Sequence, residues 1–206
     1  MRVTPTSRDG LVTEVAGLVA ERKGRVRVAV DGPPPTRPEA LAELVAADLR
    51  IRGRAAVVAA AGDFLRPASL RLEHGRTDAD AFLDGWLDTG ALRREVLEPA
   101  GPGGSGRVLP RLWDAVADRA YRADYVALAP DGVLVLAGAL LLGRGLPFEL
   151  AVHLRMSGAA LARTLDAGQA WTLPAYERYA AEHDPEREAD LVVLADRPDR
   201  PAVRRG

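Results

Sequence analysis

The sequence has no cysteine, which excludes disulfides, thiolate nucleophiles and cysteine-held metals. Histidine is scarce, three residues in 206, and the three are scattered, so a histidine-rich metal centre is not expected and no metal site is assigned. Neither sign of charge is in excess: the net charge is -1 and the pI about 6.3. The basic residues are almost all arginine and are dispersed, which argues against a nucleic-acid partner. No apolar run is long enough to span a bilayer. The longest, GVLVLAGALLL at 132–142, suits a buried parallel strand and its turn, so no membrane partner is expected. The first 24 residues lack the apolar core and cleavage signal of a secretory peptide, and the expected setting is cytoplasmic. A chain of this length suffices for one large core, so one domain over 1–206 is expected, with a leading helix inside 1–24.

What is present is concentrated first in RVRVAVDGPPPTRPEALAELVAADLRI, residues 25–51. Val26, Val28 and Val30 alternate with Arg25, Arg27 and Ala29, and the run ends at Asp31-Gly32, which predicts a strand entering a turn. Leu41, Leu44, Val45 and Leu49 follow at helical spacing and predict an amphipathic helix with these four on its packed face. A strand that delivers a glycine loop to a helix N-terminus is where α/β proteins hold phosphates, because unpaired N–H groups and the helix dipole favour an anion there. The usual loop is G-x-x-x-x-G-K-[ST]. Counted from Gly32, its second glycine, lysine and hydroxyl fall on Arg37, Pro38 and Glu39. Arg37 adds a side chain where backbone should lie bare, Pro38 removes an ammonium and an N–H, and Glu39 puts a carboxylate where phosphate oxygens would sit. Thr36 to Glu39 reads instead as a capping box, in which Thr36 and Glu39 satisfy the helix's own donors. Restoring Gly, Lys and Thr at 37–39 is then expected to reopen an anion site.

Further strands are predicted at 55–61, 125–128, 133–136, 148–154 and 191–194, and helices at 79–87, 90–97, 157–165 and 174–182. Alternating strands and helices predict an α/β fold: three layers, doubly wound, with a mostly parallel sheet. Asp78, Asp80 and Asp84 lie at the exposed start of a helix, where acids suit the dipole. His153 alternates with apolar residues and reads as structural, and Trp171 and Tyr176 read as packing around a helix start.

The order of VAVDGPPPTRPEALAELVAADL, GDFLRPASLR, DAFLDGWLDTGALRREVLEPAGPGG, LPRLWDAVADR, VLVLAGALLLGRGLPFELAVHLR and ADLVVLADRP, over about 25–203, resembles the uridine kinase-like P-loop kinases, in particular a divergent branch from high-GC bacteria. The resemblance implies a nucleoside phosphotransferase that uses ATP and Mg. It implies that Asp63, in Gly62-Asp63-Phe64-Leu65-Arg66, accepts the substrate hydroxyl proton, with Arg66 beside it. A cap on the segment after a strand is the other reading of Asp63. The resemblance further implies that Trp113, Asp114 and Arg119 line a nucleoside pocket and that Arg163 belongs to a lid. The ATP side departs from the pattern at the phosphate-loop positions Asp31, Gly32, Thr36, Arg37 and Glu39. It departs again at Ala137-Gly138, where a Glu-Gly pair would supply an acidic metal organiser. The reading is therefore a protein that binds a nucleoside, nucleotide or similar polar small molecule, with phosphoryl transfer weak or lost. An active kinase in which Arg37 replaces the lysine, and a non-catalytic scaffold, are the alternatives. A homo-oligomer is left open.

Overall fold

The computed structural model describes residues 2–205. Its centre is a seven-stranded sheet: β1 Arg2–Pro5, β2 Val26–Asp31, β3 Ala56–Ala60, β4 Val133–Gly138, β5 Leu150–Arg155, β6 Leu191–Leu194 and β7 Ala202–Arg205, in the order β1-β7-β6-β5-β2-β4-β3. The five strands β3, β4, β2, β5 and β6 are parallel. β7 runs antiparallel to β6, and β1 to β7, which closes one edge with the two ends of the chain. β2 lies between β4 and β5, so chain order reverses there and the strand ends at the topological switch point, where doubly wound sheets leave a crevice.

Alternation along the strands builds two cores. Val26, Val28, Val30, Val152 and Leu154 face α1 (Arg8–Ala20) and α2 (Pro38–Ile51). Ala29 and Ala151 face the other way, toward α3 (Ala79–Gly85) and toward α5 (Leu173–His183), which follows α4 (Gly158–Thr164). The same second face holds a helical segment over 89–100, which winds as a π-helix at Arg93–Leu97 and buries Leu92, Val96 and Leu97 against Leu134 and Leu136. The layers are thus helices, sheet and helices, as the alternation of elements predicts.

Two expectations fail. Leu44 is 40 % exposed, and α2 packs through Leu41, Ala42, Val45, Ala46 and Leu49 instead, because the buried stripe is completed by the alanines at 42 and 46 and Leu44 falls beside exposed Glu43 outside it. Residues 125–128 form no strand of the main sheet. Only Val126–Ala127 pairs, antiparallel to Arg107–Val108 in a two-stranded ribbon. Tyr125, Val126 and Ala127 are exposed, and such a segment cannot occupy a sheet covered on both faces.

Candidate functional site

The loop between β2 and α2 contradicts the expected capping box. Thr36 is not the cap: a short 3-10 turn at Pro34–Thr36 precedes Arg37, which caps α2 in the left-handed region at φ 56° and ψ 58°. No described side chain hydrogen-bonds the first turn of α2. The Thr36 hydroxyl turns back and donates to the Pro33 carbonyl at 2.7 Å, and Glu39 is exposed. The physical reason is the run of Pro33, Pro34 and Pro35. Their fixed φ winds the loop into a turn before the helix begins, which shifts the cap one residue onward. Thr36→Ala should therefore cost about 1 kcal/mol through its lost bond, while Glu39→Ala should stay within about 0.5 kcal/mol. Urea midpoints separate this from a capping box, in which both substitutions would be felt.

The same prolines empty the loop of donors. Pro33, Pro34, Pro35 and Pro38 have no N–H. The three N–H groups that remain over 32–38 are spent, from Gly32 on the Gly138 carbonyl at 3.0 Å, from Thr36 on Pro33 at 2.9 Å and from Arg37 on Pro34 at 3.0 Å. A phosphate cradle consists of convergent free N–H groups, and this loop presents none from Gly32 to Pro38. Gly32 itself is held by crowding: a Cβ there would lie 2.7 Å from Thr36 Oγ1 and 2.8 Å from Leu154 Cβ. Arg37 is exposed beside a cleft of about 430 Å³ that has Leu11, Leu41, Leu154 and Val193 in its walls and Arg8 at its rim.

At the end of β2, cross-strand register places Asp31 opposite Gly138 on β4 and opposite His153 on β5. Asp31 is fully buried. Its Oδ1 accepts the Leu141 N–H at 2.9 Å, and its Oδ2 meets His153 Nδ1 at 2.7 Å and accepts the Tyr179 hydroxyl at 3.1 Å. Tyr179 in turn accepts the Leu142 N–H at 2.8 Å. Burial, and then the Asp31 carboxylate, push the Tyr179 phenol well above its ordinary pKa, so it stays a proton donor. Asp31 is thus engaged by core partners from β5, α5 and the turn after β4. Among the described residues no group of three or more acidic or histidine side chains is arranged to hold a metal.

On the expected acceptor side, Asp63 stands in a 3-10 turn directly after β3, and its Oδ2 accepts from Arg111 Nε at 3.1 Å. The carboxylate raises the Arg111 guanidinium above its usual pKa, and the guanidinium also lies 4.0 Å over the Tyr121 ring. Sequence reasoning misses Arg111, although it stands two residues before Trp113. Trp113 and Asp114 pair with Arg119 and Ala120 in a small hairpin. The hairpin starts beside Asp63, whose carbonyl accepts the Leu112 N–H at 3.1 Å. Within it, Trp113 Nε1 donates to Asp118 at 3.2 Å, and Asp114 Oδ1 accepts the N–H groups of Val116 and Ala117, each at 2.9 Å. Those bonds, the Ala117 one first, hold the Asp114 carboxyl below its ordinary range. Arg119 is exposed across from Asp114. Arg66 lines a separate shallow cleft with Asp78, Asp80 and Asp84. Arg163 is exposed on α4. The structure therefore brings Asp63 and the Trp113 hairpin together, and sets Arg66 and Arg163 elsewhere.

Opposite the loop, α5 is tied to α3. Phe82 meets Trp86, Trp171 and Tyr176 edge-on, with ring centroids 5.2, 5.5 and 6.0 Å away. Arg178 bonds both Asp80 and Asp84. Asp78 caps α3 by accepting the Ala81 N–H at 2.7 Å, as its place at a helix start suggests. α5 is thereby fixed against α3 by both an aromatic cluster and an ion-pair network.

No protein-family model matches the chain, and no curated protein does. Solved structures do. A possible uridine kinase from Bacillus stearothermophilus is 17 % identical, with a TM-score of 0.71 over 88 % of this chain and 96 % of that one. A fructose transport system kinase, so named provisionally, from a Silicibacter species is 21 % identical, with a TM-score of 0.62 over 88 % and 98 %. D-glycerate 3-kinase from Cryptococcus neoformans is 15 % identical, with a TM-score of 0.54 over 85 % and 80 %. What the chain has in common with these proteins is architecture, and on that ground its fold is that of the P-loop kinases.

Proposed function

We propose that the protein binds a nucleoside, a nucleotide or a similar polar small molecule, and that phosphoryl transfer from ATP is weak or lost. The observation that carries this reading is the donor-free loop: four prolines, and three N–H groups turned onto carbonyls. ATP and Mg do not fit the residues present. From Gly32 to Pro38 the polyphosphate would find no free N–H group and no lysine, the metal would find no hydroxyl at position 39, and Asp31 is bound into the core. These residues therefore give phosphoryl transfer from ATP little support.

The cleft beside Arg37 supports the binding half of the proposal. Its walls are apolar and could receive a flat ring, while Arg8 and Arg37 at the rim suit hydroxyl or phosphate oxygens. Calorimetry separates the two halves. Mg·ATP should bind with a Kd weaker than about 1 mM, which corresponds to less than about 4.1 kcal/mol, and one or more of a panel of nucleosides should bind more tightly. A micromolar Kd for Mg·ATP would end the degenerate-site reading and favour the active kinase, in which Arg37→Ala should abolish turnover. Silence toward both would favour the scaffold.

A further inference from the structure

Successive side chains of β5 leave opposite faces of the sheet. Leu154 faces the cleft beside Arg37, whereas His153 and Arg155 face a second cavity of about 180 Å³ on the other side, closed by α4 and α5. Gly32 and Pro33 of the β2–α2 loop reach its wall, as do Asp31 and Tyr179, but no ligand has been assigned to it above.

Its distinctive group is His153, 6 % exposed. Nδ1 lies 2.7 Å from a carboxylate oxygen, so Nδ1 carries a proton and donates it to Asp31. Tyr179 cannot take that place, because its hydroxyl accepts from Leu142 and gives its own proton to the same carboxylate. The ring is therefore oriented from behind, and in its neutral form Nε2 presents a lone pair. No described residue bonds Nε2. Nor is Nε2 sealed off: the sealed, unpartnered side-chain polar atoms among the described residues are Trp86 Nε1 and Arg144 Nε. A buried imidazole, fixed by a buried carboxylate and opening into a cavity, is an acceptor held ready for a ligand's donor.

The charge around it selects the donor. The carboxylates of Asp31, Asp184 and Glu186 line the cavity against the single guanidinium of Arg155. That guanidinium is shared between Glu186 at 3.4 Å and Asp196 at 4.0 Å, and Glu186 is paired with Arg204 as well, which leaves Asp31 and Asp184 as the carboxylates of the lining that no arginine neutralises. Tyr176 adds a ring face, which attracts a cation through its quadrupole. We propose that this cavity binds a small primary ammonium compound, one N–H donated to Nε2 of His153 and the positive charge held by the surrounding carboxylates and the Tyr176 ring. The site lies on the opposite face of β5 from the cleft beside Arg37, and the proposal stands independently of the function proposed for that cleft.

Ethanolamine serves as the probe, with the His153 ring nitrogens followed by 15N–1H NMR in the full chain. Ethanolamine should shift the Nε2 resonance saturably. Choline, which has charge but no N–H, and glycerol, which has donors but no charge, should bind at least tenfold more weakly. Ala180 is exposed on the cavity wall, so Ala180→Trp should fill the space without touching the imidazole and weaken ethanolamine at least tenfold. His153→Phe should abolish binding, and the tryptophan variant keeps the test decisive if the phenylalanine variant does not fold. No ethanolamine response, an undiminished response in Ala180→Trp, or equal binding of glycerol would each overturn the proposal.

Discussion

Substituting Arg37→Gly, Pro38→Lys and Glu39→Thr together should leave Mg·ATP affinity within about threefold of the unaltered protein, whereas adding Pro33→Ser, Pro34→Ala and Pro35→Ala should raise it at least about a hundredfold, near 2.7 kcal/mol. Residue counting along the motif predicts recovery from the first three changes alone. The geometry predicts otherwise, because these changes restore a backbone N–H only at position 38 and leave the middle of the loop, Pro33 to Pro35, with none. Nor would they release the Thr36 and Arg37 N–H groups, which are fixed in turns onto Pro33 and Pro34. Removing the prolines frees φ at three positions and restores three N–H groups, each capable of a charge-assisted bond of about 1.5–3 kcal/mol. Calorimetric titration of both variants decides the matter. A large gain from the three-residue variant would show that prolines do not control the site, and no gain from the six-residue variant would remove the ancestral phosphate site from consideration.

Asp31→Ala should cost about 3–5 kcal/mol, because it strands the Leu141 N–H, the Tyr179 hydroxyl and the His153 Nδ1–H together without their buried acceptor. Against a typical total of about 5–15 kcal/mol, such a loss leaves a chain close to unfolding at room temperature. Asp31→Asn should be milder yet still destabilising, since an amide nitrogen cannot accept. The displacement of urea midpoints measures both, and a cost under about 1 kcal/mol for Asp31→Ala would mean that the network does not form as described.

The contrast between these two loci explains what the amino-acid order reveals. β2 and α2 are legible because their apolar residues recur at the period of the element, and β6 because a short apolar run at 191–194 coincides with its strand. β1 and β7 are not, since strands of only four residues show too little period to read, and these two are fixed by pairing with each other from opposite ends of the chain. The substitutions at 37–39 are visible against a motif, but the consequence of Pro33 to Pro35 emerges only when every N–H of the loop is followed to its acceptor. Asp31 is visible as a loop residue. Its partner His153 is 122 positions away, and only the register of β2 against β5 makes them neighbours. Arg111 is hidden for the same reason, since its meaning depends on Asp63, 48 positions earlier.

Gly32 carries a lesson about how descent is inferred. A motif comparison would count it as a surviving vestige of phosphate binding. Its lack of a side chain is explained by the 2.8 Å that a Cβ would leave to Leu154 on β5. Any larger residue would pry the loop from the strand that also carries His153, so selection for folding alone would retain the glycine, whether or not the loop bound a nucleotide. A signature letter that packing alone accounts for carries no weight in a motif comparison, whatever the activity of the chain that bears it.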